Sequence, residues 1–210
     1  MDFGIFSLTA DPVNILMWSY YSKNSGFIVQ YDIKELKKIY CPSEIILGPF
    51  QINYQNKILP ILFDTKNIIL FFLYLTNIKS KRWQHENEWR MIFGRENMET
   101  PGIELQENLN RSTLNDRKFR LQPKTINKII LGKNFFDQRE FSKNDEAVSI
   151  NLQNSKKNKS FFLKKYVLDY IIQNNIPSEL IGLDSKRFSL KTLKIKFQKT
   201  ECDYQYTMTN

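Results

Sequence analysis

Short apolar runs separated by turn residues set the expected elements of this 210-residue chain. Phe3 to Thr9 has strand character, Asp11 then offers an N-cap with Pro12 at the first helical position, and Val13 to Tyr21 follows as a short helix. Lys23-Asn24-Ser25-Gly26 supplies the turn out, with Gly26 as the residue suited to a positive φ. Phe27 to Tyr31 reads as a strand, Asp32 caps a helix through Tyr40, and Cys41-Pro42 stops it.

The middle of the chain continues in the same mixed style. Phe50 to Tyr54 has strand character, and Asp64 caps a helix to about Lys79 whose face includes Ile68, Phe71, Phe72 and Leu75. A strand from Glu86 to Phe93 follows. The polar stretch from Glu96 to Asn115 carries Pro101-Gly102 and reads as a long loop, after which Ile126 to Leu131 is a buried strand closed by Gly132. Ser142 to Lys159 is rich in Lys, Asn and Ser and reads as flexible. Ser160 to Gln173 is an amphipathic helix ending before Pro177, and Ser189 to Phe197 is a strand or extended segment. The pattern predicts an α+β fold with a central mixed, mainly antiparallel sheet flanked by helices. It divides as residues 1–150, an α+β domain, and residues 151–210, a basic helix-containing extension packed on it or tethered to it.

One run carries more chemical information than the rest. Trp83-Gln84-His85-Glu86-Asn87-Glu88-Trp89-Arg90 leads straight into apolar Met91-Ile92-Phe93. In an extended chain the period of two puts Glu86, Glu88 and Arg90 on one face and Trp89, Met91 and Phe93 on the other. Such a face holds either a reaction centre or a set of salt bridges.

Composition narrows the classes. Hydrophobic residues make up 41% and charged residues 25%, which is globular rather than disordered. The net charge of +9 is concentrated: residues 151–200 hold eleven Lys/Arg against three acids. That density suits a phosphate backbone, and Lys164 and Lys165 are the candidate nucleic-acid contacts, although lysines solvating one face give the same count. A protein partner or antitoxin is the other expected partner class. Cys41 and Cys202 form no disulfide framework, and with His85 the chain's one histidine, a His/Cys zinc site is not expected. Any Ser-His-Asp or Cys-His mechanism would have to run through His85. The N-terminus lacks a basic n-region and apolar h-region, and the Ile68 to Leu75 run is too short to cross a bilayer, so no membrane association and a cytoplasmic location are expected.

Four motifs occur in order: Phe6-Ser7; Asn14 to Tyr21 with its Met17-Trp18 pair, followed by Gly26-Phe27; Trp83-x-x-Glu86-x-Glu88-Trp89-Arg90; and Ile126-Asn127-Lys128-Ile129-Ile130-Leu131-Gly132. Over residues 3 to about 135 this series resembles the bacterial domain-of-unknown-function family numbered 2971. Members usually carry a further segment ahead of the Phe-Ser strand, so the chain looks short at its N-terminus. It also has Tyr20 where members often have histidine.

The E-x-E spacing of Glu86 and Glu88, a hydroxyl from an earlier strand (Ser7 or Thr9) and aromatics on a following helix resemble ADP-ribosyltransferases. That resemblance implies NAD as substrate and a toxin or phage-defence setting. Glu88 would stabilise the charge that develops on the ribose, and Glu86 would orient the acceptor. Ser7 would hold the ribose or position the glutamate, Trp18 and Tyr21 would stack the nicotinamide, and Arg90 or the missing N-terminal strand would hold diphosphate. The chain departs from that class in having no arginine or histidine on its first strand. The alternatives are a non-catalytic nucleic-acid- or protein-binding module and an inactive truncated paralogue.

Overall fold

In the computed structural model the described residues are 3–40, 46–58, 68–94, 122–143, 147–152, 160–200 and 203–208. In chain order the elements are β1 (Phe3–Thr9), α1 (Ile15–Ser22), β2 (Phe27–Tyr31), α2 (Ile33–Tyr40), β3 (Ile46–Gln51), β4 (Asn53–Gln55), α3 (Ile68–Asn77) and β5 (Ile78–Ser80). A 3₁₀ turn (Lys81–Glu86) leads into β6 (Glu88–Gly94), and then come β7 (Ile126–Leu131), β8 (Phe141–Lys143), β9 (Val148–Ile150), α4 (Ser160–Gln173), β10 (Ser178–Leu183), β11 (Leu190–Lys199) and β12 (Tyr204–Met208). The fold is α+β, and its sheets are mixed and mostly antiparallel.

The chain divides into two units, the first formed by Met1–Asp11 with Lys34–Leu121 and the second by Pro12–Ile33 with Gln122–Asn210. Segment 151–210 therefore lies within the second unit, together with 12–33 and 122–150.

The first unit holds a three-stranded antiparallel sheet in the order β1-β6-β3. Its register places Ser7 opposite Arg90 and Thr9 opposite Glu88. The β3 to β6 ladder shifts register between Leu47 and Phe50, where Gly48 takes φ 109°. A Cβ on Gly48 would stand 2.6 Å from the Arg90 carbonyl oxygen, so the close passage of β3 over β6 requires glycine there. β4 and β5 form a separate parallel pair, with Asn53 opposite Ile78.

The second unit is built on a seven-stranded sheet in the order β2-β7-β10-β11-β12-β9-β8. β10 runs parallel to β7, and the remaining pairs are antiparallel. Side-chain alternation splits Ile129 and Leu131 from Ile130. Ile129 and Leu131 enter the larger core with Phe135, Ile150, Leu168 and Phe197, whereas Ile130 joins Trp18, Ile181 and Leu190 in a smaller one. Apolar burial of this kind stabilises by about 1.5–3 kcal/mol per large side chain, which is why the sheet is covered on both sides of β7 and β10.

Local chemistry agrees with these elements and corrects several expectations. Asn14, not Asp11, caps α1, its Oδ1 accepting from the N–H groups of Leu16 and Met17 at 3.1 and 3.2 Å. The positive φ angles of the following turn fall on Lys23 and Asn24 rather than Gly26. Gly26 instead sits close to Ser22, and its carbonyl accepts from Gly132 N–H at 2.8 Å. Ser142 to Lys159, expected to be flexible, contributes Ser142 and Lys143 to β8 and all of β9; its residues 144–146 and 153–159 lie outside the described set. The expected Glu96–Asn115 loop and the Asp64 cap lie outside it too, as do Cys41 and Cys202. Glu86 does not belong to the strand that follows it; it ends the 3₁₀ turn.

Candidate functional site

Strand β6 and the turn before it build a cluster of four charges in the first unit. Ser80 caps the 3₁₀ turn, its side chain accepting from Arg82 N–H. At the other end Asn87 takes the left-handed conformation, φ 44° and ψ 51°, which asparagine tolerates better than most residues. The kink separates Glu86 from the pleat of β6, and Glu86 and Glu88 converge on one cation. Lys79 Nζ donates to Glu86 Oε2 and, at 2.8 Å, to Glu88 Oε2. Arg90 Nε donates to Glu88 Oε1 at 2.8 Å, and Arg90 Nη1 donates to the Thr76 carbonyl.

Both carboxylates are buried, Glu86 at 3% exposure and Glu88 at 5%, whereas Ser7 is exposed. Burial by itself would raise the Glu88 pKa, but bonds from Arg90, Lys79 and Ser7 outweigh it and hold the carboxyl down at about 2. Desolvation would depress Lys79, and its bonds to Glu86 and Glu88 raise it instead. The cluster is charge-balanced, with two carboxylates against an ammonium and a guanidinium. Its backbone is fixed as well: Glu88 N–H donates to Tyr54 Oη at 2.8 Å, and Thr9 Oγ1 donates to the Glu86 carbonyl at 2.8 Å.

Of the residues singled out in the sequence, Ser7, Glu86, Glu88 and Arg90 are together. Trp18 and Tyr21 lie in the second unit. Trp18 is buried there, its Nε1 donating to the Pro12 carbonyl at 2.9 Å, and Tyr21 is 64% exposed on α1. Lys164 and Lys165 are neighbours on α4 with opposite environments. Lys164 is buried and donates to both Glu140 oxygens, at 2.9 and 2.6 Å, while Lys165 is exposed.

Three further residues of the cluster were not singled out. Lys79 gives no sequence signal, because its approach to both glutamates depends on the intervening 3₁₀ turn. Tyr54 comes from the separate β4–β5 pair. Trp83 was readable as the first residue of W-x-x-E; the residue is 43% exposed, with Lys79 Nζ 5.4 Å from its ring centroid. No helix among the described residues is long and apolar enough to cross a membrane.

Two family models match the chain. One, described as Anaphase promoting complex subunit 8 / Cdc23, matches residues 74–173, and the other, described as Protein of unknown function (DUF2971), matches residues 17–91. No curated protein and no solved structure matches it. The first match runs from the end of α3 to the end of α4, across residues 95–121, which lie outside the described set. The second falls inside the span over which the ordered motifs run, and it takes in Trp18, Glu86, Glu88 and Arg90. The match of residues 17–91 to the model described as Protein of unknown function (DUF2971) is consistent with a domain of that family there.

Proposed function

We propose that the chain breaks the bond between nicotinamide and ribose in NAD and passes the ADP-ribosyl group to an acceptor or to water. The observation that carries this reading is the joining of Glu86 and Glu88 by one lysine, with Ser7 hydrogen-bonded to Glu88. As the glycosidic bond breaks, its electron pair leaves with nicotinamide and positive charge develops on the ribose. A fixed anion against the ribose 2-hydroxyl binds that transition state more tightly than the substrate. Glu88, ionised down to about pH 2, is such an anion at any physiological pH.

The other groups divide the remaining work. Ser7, exposed beside Glu88, meets the ribose from the solvent side. Glu86 orients the acceptor and takes its proton as the new bond forms at the ribose carbon, which requires Lys79 to release it. Arg90 is fastened to Glu88 and to the Thr76 carbonyl, so its part is to position Glu88 rather than to hold diphosphate. Trp83, 43% exposed, suits nicotinamide stacking.

The test is release of nicotinamide from NAD by the full chain. Glu88→Gln is expected to lower the rate by about a hundredfold or more, the scale of losing one transition-state electrostatic partner. Ser7→Ala, on an exposed side chain, is expected to lower it while shifting the unfolding midpoint less than Glu88→Gln does. Equal rates for wild type and Glu88→Gln, with both folded by circular dichroism, would contradict the reading.

A second reading is favoured by the closure of the cluster: two buried carboxylates paired with cations also describe a clasp fastening β6 to the end of α3 and β5. The chain would then be a non-catalytic module whose basic 151–200 segment meets nucleic acid or a protein partner. It predicts no nicotinamide release, together with oligonucleotide binding that weakens steeply with salt and on Lys165→Glu.

A further inference from the structure

The seven-stranded sheet has a notch one strand wide. The β10 to β11 ladder ends at Ser178 opposite Ile195, and the β10 to β7 ladder begins at Ser178 opposite Ile129. β11 runs on to Lys199 and β7 starts at Ile126, so both flanking strands extend past the start of β10. The chain does not continue into the gap. Asn175 takes a positive φ of 49°, and Ile176 N–H donates back to the Ile171 carbonyl at 3.0 Å, which turns the backbone into α4.

The hydrogen-bond phase of β11 is fixed at both ends. Thr200 N–H donates to the Asp203 carbonyl at 2.8 Å, and Asp184 N–H donates to the Ser189 carbonyl at 2.9 Å. Alternation along antiparallel pairs then directs the backbone groups of Lys196 and Gln198 at β12, and those of Ile195, Phe197 and Lys199 at the β10 side. Across the gap, Ile129 N–H donates to the Pro177 carbonyl at 3.0 Å, so Asn127 directs its backbone groups into the same gap. A groove of about 790 Å³ occupies this place, within the range of ligand sites.

The walls of the groove differ in chemistry. Phe197 and Ile171 lie on the side of the large core. Lys194 and Lys196, which alternate with Ile195 and Phe197, are exposed on the other side. Lys128 is there as well, bonded at 2.5 Å to Glu179. Three lysines against one glutamate leave a net positive charge.

We propose that this notch takes an extended acidic segment of a partner protein as an added strand. The backbone of the segment pairs with Phe197 and Lys199. Its alternate side chains are apolar toward Phe197 and acidic toward Lys194 and Lys196.

Amide hydrogen exchange on the full chain tests this directly. In the free protein Phe197 and Lys199 are expected to exchange faster than Lys196 and Gln198, their neighbours on the same strand. Addition of a capped peptide of alternating valine and glutamate is expected to protect Phe197 and Lys199, and Lys194→Glu with Lys196→Glu to weaken its binding by about tenfold or more. A peptide of alternating valine and lysine is expected not to protect them. The proposal is overturned if Phe197 and Lys199 are already protected in the free chain. It is equally overturned if the acidic peptide leaves them unprotected, if the charge reversals leave its affinity unchanged, or if a single-stranded oligonucleotide binds the lysines in preference to it.

Discussion

Glu88 keeps its charge because Arg90, Lys79 and Ser7 together outweigh the cost of burial, and this ties a stability effect to pH. Its pKa falls from the ordinary 4.5 to about 2, so the stability it contributes is fully present above about pH 4.5 and is lost as pH falls through about 2. The gap in unfolding midpoint between wild type and Glu88→Gln is expected to shrink as the pH is lowered through that window, measured by thermal melts in low salt. The two adjacent lysines of α4 make a sharper contrast. Lys164→Met leaves Glu140 as an uncompensated buried charge and is expected to cost about 3–5 kcal/mol. Lys165→Met is expected to stay within about 0.5 kcal/mol. Urea unfolding of the two variants measures both. Equal effects would contradict the assignment of Lys164 to the interior.

At the scale of elements, the close approach of the chain leaving β7 to the turn that enters β2 depends on an absent side chain. A Cβ on Gly132 would stand 2.3 Å from the Asn24 carbonyl oxygen, so Gly132→Ala must push apart the loop that feeds β2. A cost of about 1–3 kcal/mol is expected in urea unfolding. Asn14→Ala, which removes the α1 cap, is expected to cost about 1 kcal/mol. Elements whose own residues carry their signal were legible in the sequence: β1, β2, β7 and α4 lie where the runs Phe3–Thr9, Phe27–Tyr31, Ile126–Leu131 and Ser160–Gln173 put them. Those that depend on partners were not. β8 and β9 are three residues each, β8 at the start of a Lys/Asn-rich stretch and β9 inside it, and β12 is defined by pairing with β9 and β11. The candidate site divides in the same way. Glu86, Glu88 and Arg90 were visible in one motif, and the register of β1 on β6 brings Ser7 to them. Lys79 was invisible, because Glu86 reads as the first residue of the strand and instead ends a 3₁₀ turn that carries it back to Lys79.

Over the whole molecule, charge and chemistry are distributed unequally. The cluster around Glu88 belongs to the first unit, and the segment holding most of the excess positive charge belongs to the second. The family match spans α1 through most of β6 and so includes residues of both units. The proposed reaction at one unit and the proposed partner binding at the other are therefore separable by mutation, and Lys196→Glu is expected to leave nicotinamide release unchanged. The most direct measurement is a titration of NAD into the full chain with glutamate carboxyl carbons labelled, followed by NMR. The account predicts saturable shifts of the Glu86 and Glu88 signals while those of Glu140 and Glu179 stay in place. Glu86 and Glu88 signals that do not move at saturating NAD would contradict it.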